Sequence, residues 1–201
     1  NRQPSRKKHE AILEAAVRLF SENGYTATSV DAVAAEAGVA KQTGYHHFGN
    51  KNALLEATIN RVAREIVQPL DEIEIAQRNP ETVLATFASR LLELTMTPQS
   101  FSFLRLLIGE AAKSDHTTIQ ALKLAFDHTQ SSLARFLDNQ AARGRMAVDD
   151  PPLAAQIFLG MLTGDLRIRG LLGMLPEFDA AARKRHVRIT VTAFLRAFAP
   201  T

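Results

Sequence analysis

Apolar residues recur at intervals of three and four along most of this chain, and Gly, Pro, Asn and Asp interrupt the pattern between segments. That spacing places the apolar side chains on one face of an α-helix, whereas a half-buried strand needs alternation at every second residue. No segment of convincing length alternates in that way. Because 46% of the residues are hydrophobic, the chain can bury a core of its own. The sequence therefore predicts an all-α fold.

The first fifty residues predict three short helices in a compact head. The first helix runs from Arg6 to Asn23 and ends at Gly24, which accepts the left-handed conformation. The second begins at the capping sequence Thr28–Asp31, and Gly38 closes it and starts a tight turn into the third. This order is typical of a helix-turn-helix.

Longer helices follow the head. A fourth, capped by Asn50, is expected to end or kink at Pro69, because proline lacks the N–H and clashes with the preceding turn. The remaining predicted helices cover residues 80–97, 101–112, 116–143, 150–173 and 179–198. We expect residues 1–52 to form a helix-turn-helix DNA-binding domain and residues 53–201 a larger helical domain.

The stretch from Gly38 to Lys51 carries the strongest functional signal. Val39 and Phe48 can point into a small core, and the side chains left outside offer ammonium, amide, hydroxyl and imidazole groups. Those are the groups that read base edges and hold phosphates. Residues 1–64 hold nine Lys/Arg against six Asp/Glu, and the other 137 residues hold 15 of each, so the net charge of +3 lies beside this stretch. A chance imbalance of three charges would look the same, and the motif is what gives it weight.

The head resembles the TetR/AcrR family of transcriptional regulators. The matching pieces are Ile12-Leu13-x-Ala15-Ala16-x-x-Leu19-Phe20-x-x-x-Gly24-Tyr25, Thr28-Ser29-Val30, Ala37-Gly38-Val39 and Thr43-x-Tyr45-x-x-Phe48-x-x-Lys51-x-x-Leu54-Leu55. They cover about the first quarter of the chain. The resemblance implies that the helical remainder binds a ligand and forms the dimer.

The resemblance also implies which side chains touch DNA. The candidates are Thr28, Lys41, Gln42, Thr43, Tyr45, His46, His47 and Lys51. Lys51 is expected to bind a phosphate, and Thr28 to offer a hydroxyl and N–H groups to another. Lys41 and Gln42 are the expected base readers, lysine for guanine and glutamine for adenine.

Two residues depart from the family pattern. Ala40 stands where a serine often caps the recognition helix, a loss of about 1 kcal/mol. Gly44 stands where Leu, Val or Ile is usual, and glycine inside a helix costs about 1 kcal/mol relative to alanine. We expect a softer recognition helix that orders fully on DNA.

The resemblance places a ligand pocket among the middle helices and a dimer interface on the last two. The pocket candidates, which simple core packing would also explain, are Phe87, Leu91, Phe103, Arg105, Leu107, Glu110, Phe126, Asp127 and Leu133. The interface candidates are Phe158, Gly160, Leu162, Gly164, Leu166, Val187, Val191, Phe194 and Phe198. The small residues Gly160 and Gly164 are also explained by packing within the chain. With few aromatic residues and no Trp, a small or aliphatic effector is favoured.

Several other classes of function find no support in the sequence. Without cysteine there is no thiolate or disulfide chemistry, and adjacent His46 and His47 lack the spacing of metal ligands. No nucleophile elbow or phosphate-binding glycine loop points to an enzyme, and no cofactor or metal is expected. No apolar run reaches the length of a membrane span and no signal peptide is evident, which predicts a cytoplasmic protein with no membrane partner.

These observations predict a homodimeric, ligand-responsive repressor. Its two heads would bind a pseudo-palindromic double-stranded operator at half-sites about 34–36 Å apart, or a multiple of that distance. A small-molecule effector would release it by favouring a conformation that cannot bind DNA. The alternatives left open are an activator, an effector-independent regulator, and an all-helical protein-interaction module that uses its basic head.

Overall fold

A computed structural model describes residues 2–71, 79–111, 116–174 and 178–200 of the chain. Within these ranges it contains helices and no strand, as the periodicity predicts. The helices are α1 (Arg2–Ala27), α2 (Val30–Glu36), α3 (Lys41–Phe48), α4 (Lys51–Asp71), α5 (Pro80–Thr95), α6 (Pro98–Ala111), α7 (His116–Ala142), α8 (Pro151–Leu171) and α9 (Ala180–Ala197). The all-α prediction is confirmed.

Most predicted helix ends are where local capping chemistry places them. The Ser29 hydroxyl accepts a hydrogen bond from the Ala32 N–H at 3.0 Å, and the Asn50 side chain accepts one from the Ala53 N–H at 2.8 Å. Asp150 caps α8 in the same way. Each of these side chains satisfies an N–H group that the first turn of a helix leaves unpaired.

Several helix boundaries differ from the prediction: α1 begins at Arg2 instead of Arg6, and α6 begins at Pro98 instead of Phe101. The helix α4 continues through Pro69 and ends two residues later, at Asp71. Conversely, α1 extends to Ala27 because a short turn is joined to it across a kink at Gly24, whose φ of 78° is not helical. Gly24 therefore interrupts the helix at the predicted residue without ending the helical segment.

One compact unit comprises residues 1–62 and 98–125. Its core brings together α1, α2, α3 and the start of α4 through Ile12, Val33, Phe48 and Leu54, all buried. From α6, Phe103 packs against this core with its ring centroid 6.3 Å from that of Phe20. The unit therefore gives α2 and α3 an extensive apolar base.

A second compact unit comprises residues 63–97 and 126–201. Phe87 of α5, Phe158 of α8 and Phe194 of α9 are completely buried in it, and their rings are in contact, with centroids 6.2 Å and 5.0 Å apart. The chain passes from one unit to the other within α4, between α5 and α6, and within α7, so the boundary at 52/53 remains a prediction. Among the described residues, no helix combines the length and hydropathy needed to span a membrane.

Candidate nucleic-acid interface

The turn between α2 and α3 is built around Gly38. Its φ of 66° lies in the left-handed region, where a Cβ would be strained. The next residue returns to the preceding helix, since the Val39 N–H donates to the Ala34 carbonyl at 2.9 Å. Ala40 then occupies the N-cap of α3 and makes no side-chain cap, as the sequence indicates. The turn thus fixes the direction of α3 relative to α2.

Gly44 lies on the buried side of α3, where the helix approaches α2 closely. A Cβ at this position would lie 3.3 Å from Val30 Cγ1 and 3.4 Å from Ala34 Cβ. The space that a larger side chain would fill is therefore occupied by α2 itself. This gives the glycine a packing role that its low helix propensity does not suggest, while the softness of α3 stays a prediction.

The opposite side of α3 presents polar side chains to solvent. Lys41, Gln42, Tyr45 and His46 are exposed, whereas Thr43 and His47 are half-buried. Tyr45 leaves 43% of its surface uncovered, so its ring and hydroxyl are both accessible from solvent. Side chains of this kind on one helix face can reach both base edges and phosphates.

Asp31 of α2, which the sequence predicts only as part of a capping sequence, forms an ion pair with Lys41. The hydrogen bond from Lys41 to this carboxylate, and then its negative charge, raise the pKa of the Lys41 ammonium. Lys41 Nζ also lies 6.0 Å from the centroid of the Tyr45 ring. The other carboxylate oxygen, Oδ1, is buried with no hydrogen-bond partner within the described residues. The expected guanine reader is therefore oriented by an acid on the neighbouring helix.

His9 of α1 is a second residue that sequence reasoning missed. Its ring stacks on Phe48 with centroids 4.7 Å apart, and it meets the edge of His47 at 5.5 Å. Burial lowers the pKa of His47, and repulsion from His9, His46 and Lys8 lowers it further. Three imidazoles and a lysine thus gather at the C-terminal end of α3, a contact between distant parts of the chain that no local signal shows.

Lys51 ties the start of α4 to the end of α1. Its ammonium donates to the Thr26 carbonyl at 3.2 Å and lies 4.2 Å from the centroid of the Tyr25 ring. The Tyr25 hydroxyl in turn donates to the side chain of Asn52. Lys51 therefore has a structural role in the head, and its contact with a phosphate remains a prediction.

The expectation for Thr28 needs correction. Only 3% of the residue is exposed, and its hydroxyl lies 2.8 Å from the Gly24 carbonyl and 3.1 Å from that of Leu19. Its N–H donates to the Tyr25 carbonyl at 3.2 Å. Because both donors are used inside the head, Thr28 cannot offer them to a phosphate. Its side chain instead fastens the kinked end of α1.

The pocket candidates have different environments. Phe87, Leu91 and Leu133 are core residues of the second unit. Arg105 is exposed and donates to the Ser102 hydroxyl at 3.2 Å in the first unit, where Phe103 packs on the core. Phe126 and Asp127 are exposed on α7. The side chains of Leu107 and Glu110 lie outside the described residues.

Five of the nine interface candidates are buried within the chain itself, contrary to the prediction that they face a second copy. Phe158, Leu162, Val187, Val191 and Phe194 are at most 4% exposed, so they offer no surface to a second copy. Leu166 and Phe198 are half-buried, and the Phe198 ring lies 4.6 Å from that of Phe194.

The exposed apolar face of α8 is formed by other residues. Its large side chains are between 41% and 62% exposed: Leu153, Ile157, Met161 and Ile168. They recur at helical spacing, and Gly160 and Gly164 lie on the same side of the helix. A Cβ on either glycine would have nothing within 4 Å. The helix thus presents an apolar face that the described part of the second unit leaves exposed.

The described residues contain no group of three or more His, Cys, Asp or Glu side chains able to hold a metal ion. Although His9, His46 and His47 are neighbours, two of their contacts are ring to ring, which is not the convergence of ring nitrogens that a metal requires.

Two family profiles match the chain. Residues 12–58 match the family described as bacterial regulatory proteins, tetR family, and residues 82–200 match the C-terminal domain of AefR-like transcriptional repressors. The second match covers more than half of the chain. The match over residues 12–58 contains α2, α3 and the turn between them, and the match over residues 82–200 contains α8 and α9.

Similar proteins include regulators with and without solved structures. A protein of Mesorhizobium loti assigned to the TetR family is 27% identical, with a TM-score of 0.80 over 99% of both chains. The flavonoid-responsive regulator FrrA is 28% identical, with a TM-score of 0.67 over 97% of this chain and 98% of that one. The uncharacterized HTH-type transcriptional regulator YuxN of Bacillus subtilis is 27% identical over 67% of this chain. The match spans 45% of YuxN, less than half of that protein.

Proposed function

Because the chain belongs to the TetR family of transcriptional regulators, we propose that it is a homodimeric repressor that binds a pseudo-palindromic operator and is released by a small-molecule effector. The observation that carries the proposal is the polar face of α3, a helix that is joined to α2 by the Gly38 turn and packs closely on it at Gly44. Descriptions of AefR-like relatives as repressors support the direction of regulation.

Contacts to DNA are proposed to come from the exposed side of α3. Gln42 presents an amide that can pair with an adenine edge in the major groove, and Lys41, oriented by Asp31, presents an ammonium for guanine. Tyr45 and His46 are exposed on the same surface, and we propose that they contact the DNA backbone. The excess of basic residues in residues 1–64 adds an attraction for phosphates that falls steeply with salt.

The dimer is proposed to form through the exposed face of α8. Apolar side chains flanked by two glycines allow a second helix to approach closely and to cover surface that would otherwise face water. Two copies related by a twofold axis would place two recognition helices on successive major grooves, which matches a pseudo-palindromic operator.

Release by an effector is proposed from the family and from one similar regulator, FrrA, that is described as flavonoid-responsive. An effector acts by binding one conformation better than another, so it must prefer the state that cannot hold DNA. Helix α4 begins at Lys51, beside the DNA-binding face, and continues into the second unit. We propose that this helix carries the change.

The test is binding of the purified protein to the DNA upstream of its own gene, followed by fluorescence anisotropy. Gln42→Ala should weaken specific binding by about 1–3 kcal/mol and relax preference at one base pair. Lys41→Ala should weaken binding and lower its salt dependence, whereas Lys184→Ala, which removes the same charge from an exposed position on α9, should change neither. Equal binding by all of these variants, with circular dichroism unchanged, would contradict the proposal.

A reporter assay with the operator between promoter and gene gives the sign of regulation. A fall in transcription supports repression, and a rise would identify an activator instead.

A further inference from the structure

Arg167 of α8 is a half-buried arginine whose described neighbour is an aromatic ring. Its guanidinium carbon lies 5.2 Å from the centroid of the Phe126 ring on α7, and both residues belong to the second unit. Burial lowers the pKa of the guanidinium. No carboxylate among the described residues forms an ion pair with it.

Other arginines of the chain are placed differently. Arg169, two residues further along α8, is exposed and pairs with Asp165 at 2.6 Å. Arg61, which is half-buried, lies between Glu10 and Glu14 at 3.4 Å and 3.2 Å. At Arg61 two carboxylates compensate the charge of the guanidinium, and at Arg167 no described carboxylate does.

This arrangement is costly for a protein with nothing bound. A guanidinium does not lose its proton under ordinary conditions, so it cannot avoid the penalty by becoming neutral. Removing a charge from water is unfavourable even after the protein relaxes, and the contact with one aromatic ring offsets only a part of that penalty. An anion held by the guanidinium would offset the remainder.

We propose that Arg167 binds the carboxylate of the effector and that Phe126 contacts its apolar body, so that the effector is an organic monocarboxylate. One guanidinium offers a planar pair of N–H groups that matches one carboxylate, whereas a phosphate would call for further donors. Phe126 leaves 47% of its surface exposed, which is enough for an apolar or aromatic group to pack on it. The assignment rests on the proposed effector-responsive function and names the class of effector.

The first test measures thermal unfolding of the protein without ligand. Arg167→Met keeps an apolar stem of similar length and removes the uncompensated charge, so we expect the Tm to rise by about 2–4 °C. Arg169→Met removes the same charge from an exposed, paired position on the same helix, and should not raise it. An equal or lower Tm for Arg167→Met would overturn the proposal, because it would mean that the charge is already compensated.

The second test uses matched probes, benzoate and hexanoate against benzyl alcohol and hexanol, in thermal shift and calorimetric titrations. Both carboxylates should stabilise the wild type and Arg169→Met, whereas the alcohols should bind at least tenfold more weakly. Arg167→Met should lose the preference for the carboxylates. No carboxylate binding by the wild type, or the same preference in Arg167→Met, would overturn the proposal.

Sedimentation and operator binding, measured on the same proteins, distinguish a carboxylate site at Arg167 from an ion pair between two copies of the chain. If Arg167→Met weakens the dimer and leaves carboxylate binding unchanged, the guanidinium pairs with a second copy and the proposal fails. If the protein binds carboxylates through Arg167 but does not bind its operator, the carboxylate site is supported and the proposed repressor function fails. Retained operator binding in Arg167→Met, without carboxylate response, supports both.

Discussion

Gly44 of α3 and the pair Gly160 and Gly164 of α8 all lie within helices, and their surroundings differ in opposite ways. Around Gly44 of α3, atoms of Val30 and Ala34 lie 3.3–3.4 Å from where a Cβ would stand. A Cβ on Gly160 or Gly164 of α8 would have no such neighbouring atom within 4 Å. The first glycine serves a contact made inside the chain, and the other two lie on a surface without a described partner. A small residue in a helix thus signals close approach without saying what approaches.

The largest effect is expected from a charge on the exposed apolar face of α8. Met161→Glu would place a carboxylate among Leu153, Ile157 and Ile168, and burying it against a second copy would be strongly unfavourable. We expect the dimer dissociation constant to rise at least a hundredfold, with a parallel loss of operator binding, as measured by analytical ultracentrifugation and anisotropy. Gln156→Glu adds the same charge at an exposed polar position on the helix and should leave the dimer intact. A dimer that survives Met161→Glu would place the interface elsewhere.

Replacing Gly44 or Gly160 with leucine tests whether the space around the two glycines differs. Gly44→Leu should lower the free energy of unfolding by about 1–3 kcal/mol, because α2 leaves no room for the side chain. Gly160→Leu should not lower it, since the added atoms meet open space and glycine costs about 1 kcal/mol in a helix. Urea unfolding measures both, in a Met161→Glu background so that subunit contacts do not contribute. Equal losses at the two sites would show that the helices do not differ in this respect.

A smaller effect is expected at the start of α3. Ala40 occupies the N-cap without a side-chain hydrogen bond, whereas Asp150 caps α8 by accepting from Leu153 at 3.0 Å. Ala40→Ser should therefore stabilise the protein by about 1 kcal/mol and slow amide exchange in residues 41–47. Asp150→Ala should destabilise it by a similar amount. No gain from Ala40→Ser would mean that the turn does not let a hydroxyl reach the N–H groups of α3.

The smallest expected effect is a dependence on pH that belongs to α3. Since burial and the neighbouring cations lower the pKa of His47 in the folded protein, the unfolded chain takes up a proton first as the pH falls. Stability should be constant above the usual histidine pKa of 6.5 and should decline as the pH falls from there to the folded-state value. Urea midpoints at pH 7.5 and 5.5 should differ less in His47→Gln than in the wild type. His128→Gln, an exposed position on α7, should leave that difference unchanged.

Local signals predicted the helices and their ends, while contacts between distant segments escaped them. The caps at Ser29, Asn50 and Asp150 depend on residues three positions apart, and the sequence shows them directly. The ion pair of Asp31 with Lys41 joins two helices, and neither residue type reveals its partner. Such contacts depend on how the helices pack, which periodicity alone does not determine.

The interface candidates on α8 show a second limit of sequence reasoning. The helix is apolar on two sides, so the spacing of Phe158 and Leu162 is as regular as that of Ile157 and Met161. Periodicity finds both stripes, and only the fold shows that Phe158 and Leu162 are buried while the other two are exposed. For the same reason Arg167 was not among the pocket candidates, because a polar residue on such a helix looks like surface.

The hydrogen bond from Lys51 to the Thr26 carbonyl forms a clasp that holds together the two ends of the segment containing α2 and α3. Tyr25 and Asn52 close the same junction from the adjacent positions. Although Lys51 follows Thr26 by 25 positions, the chain leaves and re-enters the scaffold at one place. A segment with this property can be exchanged for one of different DNA preference without changing the distance that its ends must span, provided that the four clasp residues are kept. We expect such a graft to alter DNA recognition without touching α8, the helix of the proposed dimer contact and effector site.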